Sequence, residues 1–161
     1  MSFATADLCD EFGAEVRVAE PVFRDWGGVA RFAGPIETVR VLEDNGLVRQ
    51  ALETPGRGRV LVVDGGGSLR AALVGGNLAA LAQRNGWSGL VVHGCIRDTG
   101  EIAATPVGVK ALSAVPRKSA KLGTGERRVP VTFAGVTFSP GAFLYADSDG
   151  LIVAERDLLA R

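Results

Sequence analysis

A mixed α/β fold is predicted, and three observations predict it. Arg59-Val60-Leu61-Val62-Val63 is a nearly all-apolar run, the composition of a strand buried on both faces. The stretch from Asn77 to Val92 reads as helix, turn and strand, with Leu78, Leu81, Ala82 and Asn85 on one helical face. From Val129 onward, short apolar runs are separated by Ala134-Gly135, Pro140-Gly141 and Asp149-Gly150, the punctuation of antiparallel hairpins. With 161 residues and no dividing linker, the chain is expected to form one domain over 1–161 with a real core.

The elements follow in order. Residues 5–12 suit a short helix closed by Gly13. Val22-Phe23 and Arg31-Phe32-Ala33 suit strands, each ended by a glycine turn, the second at Gly34-Pro35, before a further strand from Ile36 to Leu42. Asp44 or Asn45 can cap a helix through Glu53, with Leu47, Val48, Ala51 and Leu52 as its apolar face. After the 59–63 strand, Asp64-Gly65-Gly66-Gly67-Ser68 leads into a predicted short helix through Leu73. Asn77 is the expected N-cap of the next helix, Gly86 suits the position past its end, and Leu90-Val91-Val92 is a buried strand. Val107 to Val115 is another strand region. The basic segment from Arg117 to Arg128 reads as a solvated surface loop, with a partner-binding patch as the alternative. Four strands then fill 129–154, and a short helix is expected at the end.

Lysine plus arginine equals aspartate plus glutamate, 18 each, so formal net charge is zero. That argues against direct nucleic-acid binding, which normally shows a basic excess. Cys9 and Cys95 lack metal-finger or redox spacing and read as reduced thiols. Neither a signal peptide nor an apolar run of membrane-spanning length is visible, so a soluble cytoplasmic protein is expected.

Several chemical motifs can be weighed. The loop after Asp64 follows a strand, but Arg70 stands where a third dinucleotide-motif glycine belongs and no Walker lysine follows. A tight turn is the plainer reading, though Asp64 could still reach a site through water. His93 is the only histidine and lies in a strand, a place where histidine is usually structural. A zinc centre and a serine hydrolase at Ser68 are both disfavoured. More informative are two stretches: Val74-Gly75-Gly76-Asn77-Leu78 at a helix start, and Gly94-Cys95-Ile96-Arg97-Asp98-Thr99-Gly100-Glu101 after a buried strand. A helix N-terminus offers free N–H groups to an anion. Open α/β sheets place ligands beyond their strand ends, and two carboxylates there suit a hard divalent cation.

Gly76, twenty residues, Arg97-Asp98, two residues and Glu101 together match G-x20-R-D-x2-E/D. In this the chain resembles the 4-hydroxy-4-methyl-2-oxoglutarate aldolases, the RraA-like family that also contains the regulator of ribonuclease E activity A. Phe32-Ala33-Gly34-Pro35, Val62 to Ser68, Asn85 to Gly89 and Asp147-Ser148-Asp149-Gly150 are similar to family segments as well.

The resemblance implies a β/β/α layered, swivelling-type fold with a mixed central sheet, a homotrimer, and a class II pyruvate aldolase with oxaloacetate decarboxylase activity. By position, backbone groups of Gly75, Gly76, Asn77 and Leu78 would hold the carboxylate of a small 2-oxo acid. Arg97 would contact the pyruvyl oxygen and stabilise the enolate. Asp98 would ligate Mg²⁺ or Mn²⁺, and Glu101 would support the ion through water. Asn77 stands where many members carry Asp. Longer members bring an acidic residue into a neighbouring subunit's site from a C-terminal extension, and Glu155 or Asp157 are the candidates here. The alternative is a non-catalytic regulator that binds a ribonuclease or another protein; with no net charge, such inhibition would act through protein contacts rather than by masking RNA.

Overall fold

The computed structural model describes residues 2–160. In chain order it contains α1 (Thr5–Phe12), a 3₁₀ turn (Gly13–Glu15), β1 (Arg17–Val18), β2 (Arg24–Asp25), β3 (Phe32–Arg40), α2 (Gly46–Leu52), β4 (Val60–Asp64), β5 (Ala72–Val74) and α3 (Gly76–Arg84). Then follow β6 (Gly89–Ile96), α4 (Thr99–Ala103), β7 (Gly108–Ala114), β8 (Glu126–Arg127), β9 (Val131–Phe133), β10 (Val136–Phe138), β11 (Phe143–Asp147) and β12 (Gly150–Ala154).

The main sheet runs β1-β12-β11-β3-β4-β6-β7-β2. Its centre, β3-β4-β6-β7, is parallel; β11, β12 and β1 continue it antiparallel. Side-chain alternation along β4 explains the layering. Leu61 and Val63 point into a core shared with Val48, Ala51 and Leu52 of α2 and Leu78, Ala79 and Ala82 of α3. Val60 and Val62 point the other way, against Phe133, Phe138, Leu144 and Val153. Both faces of β4 are therefore dry, as its uniformly apolar sequence requires. The result is a β/β/α layered fold on a curled mixed sheet. A third apolar cluster seats α1, through Leu8, on Tyr145 and Ile152.

Five local expectations need correction. Strand pairing starts at Arg24, one residue after Val22-Phe23, where the backbone meets β7. Gly34-Pro35 does not break the strand: β3 runs straight through. Ile36 donates its N–H to Ala142, so the Pro35 nitrogen faces the opposite edge, just before pairing with β4 begins at Ile36. A ring without an N–H costs nothing there. The predicted helix through Leu73 is instead β5, because Ala72 pairs with Cys95 and donates its N–H to the Arg117 carbonyl at 2.8 Å. Gly75, not Asn77, is the N-cap of α3, and Asn77 is an exposed first-turn residue. No helix follows β12 over 155–160; Asp157 instead accepts the Leu159 N–H and the Tyr145 hydroxyl, folding the segment into a turn.

Gly86, at φ +80°, does end α3. Cys9 and Cys95 are free thiols. No helix among the described residues is long and apolar enough to cross a membrane.

Candidate functional site

β5 and β6 lie side by side and parallel, so their C-terminal ends deliver two chain segments to one place. From β5 the chain turns at Gly75 into α3. From β6 it passes through Arg97 and Asp98 into α4. The Arg97 N–H is held by the Val74 carbonyl at 3.0 Å, which locks the two exits together. Asp98 sits in the left-handed region (φ +59°, ψ +49°) as the N-cap of α4. That conformation is uncommon for a residue other than glycine or asparagine, and such strain gathers at functional positions. Here it turns the Asp98 carboxylate back onto α3, where Oδ2 accepts the Gly76 N–H at 2.9 Å.

The two glycines make this approach possible. A Cβ on Gly75 would lie 2.8 Å from Asp98 Oδ2, and a Cβ on Gly76 would collide with the Glu101 carboxylate. Asp98 and Glu101 thus converge on the start of α3 from one side. Because Asp98 takes the Gly76 N–H, that group is not open to an anion, contrary to the four-residue cradle expected from sequence. The N–H groups of Asn77 and Leu78, without intrahelical acceptors by helix geometry, remain. Both residues line a cleft of about 310 Å³, together with Gly75, Arg97 and Asp98. Gly76 and Glu101 do not line it. Arg97 is half-buried and directs its guanidinium toward the Pro116 carbonyl at 3.4 Å, a long and weak contact.

Arg49 of α2, Glu53 just past its end, and Lys118, Ser119 and Lys121 of the loop after β7 form the opposite wall. None of the three cations has an ion-pair partner among the described residues. The wall is built by a latch that sequence reading did not find. Asp44 is buried, and its carboxylate accepts N–H groups from Gly46 (2.9 Å), Leu122 (3.0 Å) and Gly123 (3.1 Å) and the Thr124 hydroxyl (3.0 Å). Burial pushes this carboxyl's pKa up, but those four donors outweigh it and hold it below the ordinary value. Ala120 exchanges backbone hydrogen bonds with Asn45 and Glu43, and the Ser119 hydroxyl donates to the Ala72 carbonyl at 2.7 Å. The basic segment is therefore fastened every residue or two. Its sequence signal was its basic composition, but where Lys118 and Lys121 end up depends on Asp44, more than seventy positions away.

Other candidates lie elsewhere. His93 stacks on Phe133 with ring centroids 4.6 Å apart and contributes to the β-side core, not the cleft. Its Nδ1 is 3.8 Å from Asp64 Oδ1, beyond hydrogen-bond distance. Asp64 also accepts the Gly66 N–H, and burial, which raises its pKa, is outweighed by these neighbours. It does not line the cleft. The glycine loop is a turn into a strand with no helix start, so the dinucleotide geometry is missing. Ser68 donates to Glu43. Asp157 is committed to Tyr145 and Glu155 is exposed at the far end of β12, so neither joins this cleft within the chain.

Fold and site together define a layered α/β protein with a polar cleft at the exit of two parallel strands, carrying carboxylates, a guanidinium and a helix N-terminus. A family model described as RraA-like (Aldolase/RraA) matches residues 5–153. The chain is 60% identical, over 99% of both chains, to an Alkalilimnicola ehrlichii protein named "Putative 4-hydroxy-4-methyl-2-oxoglutarate aldolase". It is 58% identical to a Burkholderia multivorans protein of the same name, over 98% of this chain and 99% of that one. Among solved structures, it superposes at a TM-score of 0.97 and 54% identity on the S-adenosylmethionine: 2-dimethylmenaquinone methyltransferase from Geobacillus kaustophilus HTA426, covering 99% of both chains. For the RNA-processing inhibitor RraA from Thermus thermophilis the values are 0.94 and 52%, covering 99% and 98%. The chain belongs to the RraA-like family. Relatives this similar carry names for three different activities, so membership leaves the reaction to the chemistry of the cleft.

Proposed function

We propose that the protein is a divalent-metal-dependent lyase that cleaves 4-hydroxy-2-oxo diacids of the 4-hydroxy-4-methyl-2-oxoglutarate type to pyruvate and decarboxylates oxaloacetate. The observation that carries this reading is the junction where Asp98 and Glu101 meet the start of α3 beside Arg97.

The residues fit a hard cation. Asp98 Oδ1 and the Glu101 carboxylate have no ion-pair partner among the described residues, and no group of three or more ligating side chains forms there. Two carboxylate donors with the remaining positions left to water and substrate suit Mg²⁺ or Mn²⁺ better than zinc. Asp98 would hold the ion directly and Glu101 through its water shell. When bound, the ion supplies Lewis-acid polarisation of the 2-oxo group.

The chain's own groups do the rest. The Asn77 and Leu78 N–H groups receive the substrate's 1-carboxylate at the positive end of α3. In cleavage the C3–C4 bond breaks, its electron pair passes to C3 and the 2-oxo oxygen, and the C4 hydroxyl gives up its proton as it becomes a carbonyl. Arg97, which lines the cleft, stabilises the negative oxygen as it develops. Loss of CO₂ from oxaloacetate leaves the same enolate, and protonation at C3 gives pyruvate in both cases. Asn77 has no acid-base capacity, so the proton passes through another group or through water. Assembly as a homotrimer and a cytoplasmic location belong to the same proposal.

Pyruvate release from oxaloacetate and from 4-hydroxy-4-methyl-2-oxoglutarate, with and without Mg²⁺, tests it in the wild type and in Asp98→Ala. Metal-dependent release that disappears in Asp98→Ala is expected. Absence of metal-dependent release from both substrates, or an unaffected variant, would sink the reading.

The similarity to the Thermus RNA-processing inhibitor favours a second reading, binding and inhibition of a ribonuclease. Slower RNA cleavage by a ribonuclease when this protein is added, undiminished in Asp98→Ala, would support it.

A further inference from the structure

We infer that the latched loop at 117–124 forms a second anion subsite, in which Lys118 and Lys121, assisted by Arg49, read the distal carboxylate of the substrate. The inference rests on the lyase reading for its first subsite, at the start of α3, but its own evidence lies on the opposite wall.

Three features carry it. Four cationic side chains, Arg49, Arg97, Lys118 and Lys121, line the cleft against two carboxylates, Glu53 and Asp98. A cleft with that excess favours a ligand with two negative charges over one with a single charge. Arg49, Lys118 and Lys121 have no carboxylate partner among the described residues, so their charges are available to a ligand in the cleft. And the loop that bears the lysines is held in place. Ala72 receives it through the Arg117 carbonyl and the Ser119 hydroxyl, while Asp44 receives Leu122, Gly123 and Thr124. A loop that served only as a solvated connection would not require a buried carboxylate with four donors. Fixing the loop at both ends presents Lys118 and Lys121 to the cleft with little backbone entropy left to lose on binding. The cleft, at about 310 Å³, is at the small end for ligand pockets and suits a short diacid spanning its two walls.

Calorimetric titration of the full chain in Mg²⁺ with two matched probes tests this. 2-Oxoglutarate and 2-oxopentanoate have the same carbon chain and differ in a terminal carboxylate against a methyl. The wild type is expected to bind 2-oxoglutarate about tenfold more tightly, the worth of a charge-assisted contact. Lys118→Met with Lys121→Met should reduce that ratio to about twofold, with 2-oxopentanoate affinity unchanged. Lys118→Arg with Lys121→Arg should preserve it. Equal binding of the two probes by the wild type, no binding of either, or an undiminished ratio in the methionine pair would overturn the subsite. The lyase reading fails separately. Charge-selective binding without pyruvate release leaves the subsite standing and removes the reaction; pyruvate release from the diacid with an unaltered ratio in the methionine pair does the reverse.

Discussion

The two walls of the cleft are built by opposite means. On one, regular structure does the positioning: parallel β5 and β6 end side by side, and Gly75, Gly76, Arg97 and Asp98 follow directly from their ends. On the other, the chain from Val115 to Gly125 contains no helix and no strand, and one buried carboxylate with a few backbone bridges holds it. The first wall is rigid because the sheet is rigid. The second depends on the Asp44 carboxylate and on the backbone bridges at Arg117 and Ala120. Chemistry concentrated on the first and ligand selection on the second is the division of labour this difference supports.

The sharpest way to break the comparison is at Arg97, which belongs wholly to the sheet-built wall. Arg97→Ala should lower turnover of oxaloacetate by roughly two to three orders of magnitude, as loss of an oxyanion donor does elsewhere. Its stability should change little, because among the described residues the guanidinium makes only one long hydrogen bond. Steady-state kinetics alongside a denaturant midpoint would check both halves. A stability loss with intact turnover would move Arg97 out of the chemistry.

The latch should show the reverse pattern. Asp44→Ala removes the charged acceptor of three part-buried backbone N–H groups and a hydroxyl, and a loss of about 2 kcal/mol in unfolding free energy is expected. Selectivity between the two matched 2-oxo acids should fall in the same variant even though every cation remains. Urea titration and the calorimetric ratio measure these effects.

What could be read in advance divides along the same line. The apolar run at 60–63, the helix-to-strand unit over 76–96 and the hairpins after 129 were legible because alternation and turn residues are local signals. So was the junction of Gly76 with Arg97, Asp98 and Glu101, since one αβ unit separates its parts. The cradle was misread by a single group: Asp98, in a left-handed conformation that sequence does not announce, takes the Gly76 N–H. β5 was misread as helix because three apolar residues after a glycine loop fit either element, and only pairing with Cys95 decides. The second wall was least legible. Lysines in a glycine-containing loop look solvated until the acceptor that fastens the loop is known, and Asp44 looks like an ordinary helix cap.

Gly76→Ala probes how closely the first wall is fitted. A helical alanine is favoured over glycine by up to about 1 kcal/mol, which offsets part of the collision with Glu101, so stability should stay within about 1 kcal/mol of wild type. The Glu101 carboxylate, however, has to swing away. The concentration of Mg²⁺ that half-activates pyruvate release should rise about tenfold, the scale of losing an outer-shell partner. An unchanged metal requirement would show that Glu101 plays no part in holding the ion.

The smallest expected effect is the acid response of the latch. Burial raises the Asp44 pKa, but the N–H groups of Gly46, Gly123 and Leu122 and the Thr124 hydroxyl lower it by more, so the folded carboxyl titrates below its ordinary 3.8. A depressed folded pKa means that the latch contributes its full stability above the unfolded value and loses it as pH falls through the folded one. Between pH 7 and 5 the denaturant midpoint should therefore show no pH dependence arising from Asp44, with the loss beginning below about pH 4. The pKa values of Asp64 and Asp147 are likewise lowered by their own neighbours against the effect of burial. The discriminating measurement is the difference between wild type and Asp44→Asn across pH 7 to 3. The amide cannot ionise, so the gap between the two proteins should be constant above pH 5 and narrow toward pH 3. A gap independent of pH would mean that the loop is held by the shape of the Asp44 side chain, and that the second wall is as indifferent to charge as the first.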